Sequence, residues 1–254
     1  MKRIVFLILI NLISLNLYAL DNIQLNVIKT AYKVASKYKA SDGHTFNDTI
    51  ASITLTESSA GKFLIGDNYI DGKEKPFIMK SLGVCQVKLE TAILIISKYS
   101  KYFKKYINLI HQNKYVFKKY WKYLMNINYF FYLKNKYEKR LKFNIGNRKR
   151  NIKVLKWIKN ELKINKNKFK KYKKYYYKDL LLAQILLSDI KFNIKIATFY
   201  LIYNYENAIK RKYRNPWFIA ISKYNGGYCN VSYYKKVIKN MKIVRKLKKE
   251  GKLK

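Results

Sequence analysis

Asn47-Asp48-Thr49-Ile50-Ala51-Ser52-Ile53-Thr54-Leu55-Thr56-Glu57-Ser58 decides how the chain is read. Ile50 and Ile53 precede Glu57 by seven and four positions, so the three share one face of a helix, and that face is apolar. A carboxyl group tethered to a buried face loses solvation of its charged form and can hold a proton near neutral pH, as a general acid must. The alternative is a helix-end Glu that turns outward to water, the usual fate of this residue. Gly61 falls just beyond, where a left-handed residue commonly closes a last turn, and it is expected to stop the helix beside Glu57.

Further segments lie far from this one in sequence. They are Ser81-Leu82-Gly83-Val84-Cys85-Gln86-Val87, Asn193-Ile194-Lys195-Ile196-Ala197-Thr198-Phe199-Tyr200-Leu201 and Ser222-Lys223-Tyr224-Asn225-Gly226-Gly227. Taken in order with Glu57-Ser58-Ser59-Ala60-Gly61, they resemble the motifs E-S-x-x-G, G-L-M-Q, N-I-x-x-G-x-x-Y-L and A-Y-N-x-G of the lytic transglycosylases in the goose-type-lysozyme-like superfamily. The resemblance covers about residues 50–92 and 180–227. It implies a mainly α, lysozyme-like helical domain that cleaves the glycan of peptidoglycan without a cofactor, with Glu57 as catalytic acid and then base. It also implies that Gln86, Tyr224 and Asn225 line a glycan groove, and that Ser58 and Tyr200 position or polarise the acid. Amides and a phenol suit hydroxyls and N-acetyl groups, although the same residues could cap a helix, fill a core or make a turn. Cys85 stands where the family has Met, and Ala197 where it has Gly; neither change touches Glu57.

Met1-Lys2-Arg3, an apolar run from Ile4 to Leu17 and the small Ala19 read as a signal peptide over 1–19, cleaved before Leu20, with an uncleaved anchor as the alternative. Export to the periplasm follows, the simplest compartment for a wall enzyme and one that permits disulfides. The resemblance brings the segments of Cys85 and Cys229 to one cleft, leaving a bridge or two thiols equally open. No metal site is expected, because His44 and His111 stand in no ligand spacing with the 2 cysteines.

The mature domain, 20–254, is expected to be helical, with Asp189 as the N-cap of the helix that follows it. Tyr99, Tyr102, Phe103, Tyr106, Ile107 and Ile110 recur at helical spacing. Residues from about 98 to 178 separate the second and third motifs and read as an expanded Lys/Tyr-rich helical insertion, broken near Asn144 to Asn151. A basic tail from about 235 to 254 is expected to be a helix fraying into solvent. With 55 Lys and Arg against 14 Asp and Glu, the net charge is +41, which draws the chain to anionic wall polymer or a membrane surface. Export argues against nucleic acid as a partner, and the sequence leaves oligomeric state open.

Two alternatives accompany the transglycosylase expectation. A hydrolytic muramidase would call on a second carboxylate, for which Asp67, Asp71, Glu74 and Glu90 are the candidates outside the motifs. A non-catalytic basic wall- or membrane-binding protein would keep the motifs as a relic.

Overall fold

The structure is a computed structural model that describes residues 20–70, 73–110, 114–227 and 229–253, with backbone alone for residues 70, 73 and 114–119. The leader 1–19, Asp71 and His111 lie outside the described residues.

Nine α-helices are described: α1 (Asn22–Ala35), α2 (Asn47–Ser58), α3 (Leu89–Lys98), α4 (Lys114–Lys142), α5 (Arg148–Lys170), α6 (Lys173–Ser188), α7 (Ile190–Lys210), α8 (Pro216–Tyr224) and α9 (Val231–Lys249). Four two-residue strands accompany them, β1 (Ile65–Gly66), β2 (Tyr69–Ile70), β3 (Lys73–Glu74) and β4 (Ser81–Leu82), in two antiparallel pairs, β1 with β4 and β2 with β3. The chain is mainly α, as expected. Its described residues divide into two compact units, one of residues 20–64 and 200–253 and the other of residues 65–199.

In the first unit α2 is the central helix, with α1 and α9 packed against it. Its β-branched residues are mediocre helix formers, so burial has to hold it together. Ile50, Ala51, Ile53 and Thr54 are completely buried. The hydroxyls satisfy themselves on their own helix: Ser52 donates to the Asp48 carbonyl at 2.6 Å, Thr54 to Ala51 at 2.8 Å and Thr56 to Ser52 at 2.8 Å. α1 begins at a capping box, in which Gln24 N–H donates to Asp21 Oδ1 at 2.8 Å and Asp21 N–H to Gln24 Oε1 at 3.1 Å.

The basic tail is a correction to the expectation of fraying. α9 buries Tyr233, Val237, Met241, Val244 and Leu247 along one stripe at helical spacing, while its lysines face outward. This stripe makes the last helix part of the core of the first unit.

In the second unit, Asn193 is completely buried in the first turn of α7. Its Nδ2 donates to the carbonyls of Leu82 at 2.8 Å and Leu186 at 3.0 Å, and its Oδ1 accepts from Cys85 N–H at 2.9 Å. Gly83 has φ +74°, and a Cβ there would overlap the Asn193 amide and the Leu186 carbonyl. Two of the sequence segments are thereby locked together. Asp189 caps α7 as expected, accepting from Phe192 N–H at 2.9 Å.

Residues 100–109 form 3₁₀ turns where an α-helical repeat was expected. Aromatic packing accounts for the difference, since Tyr99, Tyr102 and Phe103 all gather around Phe199, while Tyr106 stacks on Phe192. The lysine-rich stretch beyond is a helical hairpin of α4 and α5 with its own core of Ile127, Phe130, Ile158 and Leu162. Its turn, at residues 143–147, falls at the start of the break expected from sequence. At the base of this hairpin the Tyr120 hydroxyl donates to the buried Asp179 carboxylate.

Candidate active site

Glu57 is half-buried at the last turn of α2, with Ile50 and Ile53 behind it at zero exposure. The helix ends one residue later. Ser59 (φ 50°), Ala60 (φ 52°) and Gly61 (φ 97°) follow in the left-handed region, so the turn begins two residues before the glycine expected to make it. Non-glycine residues enter this region at a cost of about 1–2 kcal/mol each, and such strain persists only where the surroundings impose it. Here they do. Ala60 N–H donates to the Thr54 carbonyl at 2.8 Å, Gly61 N–H to Ser58 Oγ at 2.9 Å, and Gln24 Nε2 reaches over from α1 to the Ser59 carbonyl at 2.9 Å.

Ser58 is completely buried and also donates from Oγ to the Thr54 carbonyl at 3.1 Å. Its hydroxyl therefore knits the end of the helix. It positions Glu57 through the backbone that carries it.

The partner that sequence reading missed is Tyr233. Its hydroxyl donates to Glu57 Oε1 at 2.6 Å. Tyr233 stands in the first turn of α9, where Asn230 caps the helix by accepting from Tyr233 N–H at 3.0 Å. A phenol can donate to a carboxylate and can equally accept from a protonated acid. One contact therefore accommodates both states of Glu57. The apolar stripe of α9, which begins at Tyr233, was the available signal.

Tyr224 and Tyr200 extend this group. The Tyr224 ring lies parallel to that of Tyr233 with centroids 6.5 Å apart, and Tyr200 lies 5.5 Å from Tyr224. Asn225, exposed at the end of α8, accepts from Asn230 Nδ2 at 3.3 Å, which ties the α8–α9 turn to the cap that sets Tyr233. The first unit thus brings together Glu57, Ser58, Tyr200, Tyr224 and Asn225.

Gln86 and Cys85 belong to the second unit. Gln86 has φ 49° and donates from Nε2 to the Gly83 carbonyl at 2.9 Å, while its Oε1 lies so close to Gly66 that a Cβ there would collide with it. The bridge left open between Cys85 and Cys229 is not made. Neither cysteine is in a disulfide, Cys85 being buried and Cys229 exposed. Cys85 is held by the Asn193 bond to its own N–H, a packed small residue of the kind that free cysteine commonly provides.

Two of the candidate second carboxylates are engaged by lysines of their own unit. Glu74 Oε1 is 2.7 Å from Lys80 Nζ, and Asp67 Oδ2 is 3.0 Å from Lys88 Nζ and 4.0 Å from Lys75 Nζ. The Lys88 ammonium holds the Asp67 carboxyl below its ordinary range, helped by the Ser81 hydroxyl. Among the described residues no group of three or more His, Cys, Asp or Glu could hold a metal ion.

No protein-family model, curated protein or solved structure matches this chain. The site is accordingly defined by its own geometry, a carboxylic acid at a strained helix end with a phenol on its oxygen and two further phenols in line.

Proposed function

We propose that this chain is an exported, periplasmic lytic transglycosylase of lysozyme-like fold that cleaves the β-1,4 bond between N-acetylmuramic acid and N-acetylglucosamine in peptidoglycan. The observation that carries the reading is the 2.6 Å bond from the Tyr233 hydroxyl to the half-buried Glu57 carboxyl. It sets a phenol from the first turn of α9, just beyond the last motif, on the one titratable group of the first motif. The ordered motifs add support, since Gly83 and Asn193, from two of them, are mutually required by packing.

In the first step the Glu57 acid gives its proton to the bridging oxygen as the C1–O4 bond breaks, and N-acetylglucosamine departs as a neutral alcohol. In the second, the Glu57 carboxylate takes the proton of the muramic C6 hydroxyl while O6 bonds to C1 and closes the 1,6-anhydro ring. No water is consumed. One carboxylate in two successive states suffices, whereas a hydrolase would more often recruit a second. Tyr233 would hold the carboxyl in one orientation through both states, and Tyr224 and Asn225 would contact the sugars.

Mass spectrometry of soluble products from purified peptidoglycan tests this reading. Anhydro-muramic ends are expected, and Glu57→Gln should abolish them while the variant still sediments with the wall. Reducing ends would mark a hydrolytic muramidase. Equal, negligible release by wild type and Glu57→Gln would leave a non-catalytic wall- or membrane-binding protein.

A further inference from the structure

The α4–α5 hairpin ends in a turn whose side chains are arranged contrary to its packing needs. The backbone of that turn is well made. Ile145 N–H donates to the Arg140 carbonyl at 2.8 Å and Asn144 N–H to Leu141 at 3.4 Å, with Asn144 left-handed at φ 52°, the pattern that commonly closes a helix. Asn151 Nδ2 then donates to the Ile145 carbonyl at 2.8 Å, and Asn147 caps α5 by accepting from Arg150 N–H at 2.9 Å. In such a turn the residue at the Ile145 position usually packs back on the helix. Here Ile145 is 55% exposed, Phe143 64% and Ile152, one turn into α5, 51%. An ordered turn and the start of α5 hold three large apolar side chains outward.

Their surroundings identify what they meet. Arg140, Lys142, Arg148, Lys149 and Arg150 flank the turn, and no carboxylate occurs between Glu138 and Glu161. The Lys142 ammonium sits 5.6 Å from the Phe143 ring centroid, so cation and ring point into the same space. A hydrated polyanion would be bound by the cations alone and gives exposed Phe and Ile nothing to enter. An anionic bilayer satisfies both, with phosphate headgroups for the cations and the headgroup–acyl boundary for the apolar side chains. None of the described helices is long and apolar enough to cross a membrane.

We infer that the tip of this hairpin, residues 143–152, docks on an anionic lipid surface with Phe143 and Ile145 inserted at the interface and the flanking Arg and Lys on the headgroups. This attachment is independent of the glycan-cleaving reading and survives or fails without it. It would tether the chain to a bilayer whatever chemistry the site at Glu57 performs.

The test is co-sedimentation of the whole protein with vesicles of phosphatidylcholine alone or mixed with phosphatidylglycerol, at low and at about 0.5 M salt, where exposed charge pairs are largely screened. Wild type should bind the mixed vesicles and retain part of that binding in high salt. The doubly substituted Phe143→Ser, Ile145→Ser chain should bind at least about tenfold more weakly in high salt, because two apolar side chains no longer enter the interface. Both positions are exposed, so helical content and thermal unfolding should be unchanged. A second variant, Phe143→Trp, should show blue-shifted added emission on the mixed vesicles. Three results would overturn the inference: equal binding by wild type and the double variant, no blue shift, or capture by soluble polyphosphate or isolated wall polymer with no binding to vesicles.

Discussion

At the scale of single residues, Tyr233 and Glu57 form a contact that can be cut without disturbing the fold. Tyr233→Phe removes the 2.6 Å bond and leaves the ring against Tyr224. A net hydrogen bond to a charged group stabilises by about 1.5–3 kcal/mol, so the loss in global stability should stay within that range. Turnover on peptidoglycan should fall about 10- to 100-fold, as when a positioned acid loses its orientation. Release of muropeptides by wild type and variant, beside urea unfolding of each, measures the two effects, and an unchanged release rate would remove Tyr233 from the site. Asp67 makes a different kind of prediction. Its folded carboxyl is held below its usual range by Lys88, so its contribution to stability is present above about pH 4, the unfolded value, and is lost as pH falls through the folded value. Asp67 sits at φ 53°, which Asn also tolerates. Asp67→Asn should therefore lower stability near pH 7 and narrow its difference from wild type near pH 3. Thermal unfolding at the two pH values reads this, and a constant difference would refute it.

At the scale of elements, α9 carries the correction with the largest consequence. Met241 is 2% exposed in the middle of its buried stripe, so Met241→Ala should destabilise by about 2–5 kcal/mol. A fraying tail would lose nothing measurable by denaturant unfolding. The stripe was present in the sequence at Tyr233, Val237, Met241, Val244 and Leu247, yet dense lysines between these residues gave the segment the look of a solvated end. α2 and the end of the helix near Glu57 were legible, because the i, i+3, i+7 spacing of Ile50, Ile53 and Glu57 and the glycine just beyond are local properties. Asp189 was legible for the same reason, being a cap read from adjacent residues. The Glu57–Tyr233 contact joins residues 176 apart, and the stripe of α9 marks Tyr233 as inward-facing without naming what it meets. The left-handed run at Ser59 and Ala60 was hidden because it is imposed by Gln24 and the Thr54 carbonyl, while the residues themselves prefer other backbone angles. The 3₁₀ turns of 100–109 arose likewise from aromatic packing that outweighed a helical repeat.

For the whole molecule, charge outweighs every other surface property. A net charge of +41 at pH 7 on 254 residues makes the folded chain repel itself near neutral pH. The ion pairs of its described surface are mostly half-exposed and individually worth little. Screening should therefore relieve more repulsion than it removes attraction. Raising ionic strength from about 20 to 300 mM should increase the unfolding temperature by about 3 °C or more, which scanning calorimetry measures. A decrease would show that specific pairs outweigh the net field.

Gln24 gives the processing of the chain an unexpected bearing on its chemistry. The expected cleavage before Leu20 leaves the capping pair Asp21 and Gln24 at the very start of the mature protein, and the same Gln24 amide fastens the turn behind Glu57. Were the chain cut there, the exact position of the cut would bear on the proposed acid. Chains beginning at Leu20 and at Leu25 should both fold, but the shorter one, lacking that fastening, should release muropeptides more slowly, by up to about the 100-fold that a small misplacement of a catalytic group can cost. Equal rates from the two would show that the turn keeps its shape without the newly exposed terminus.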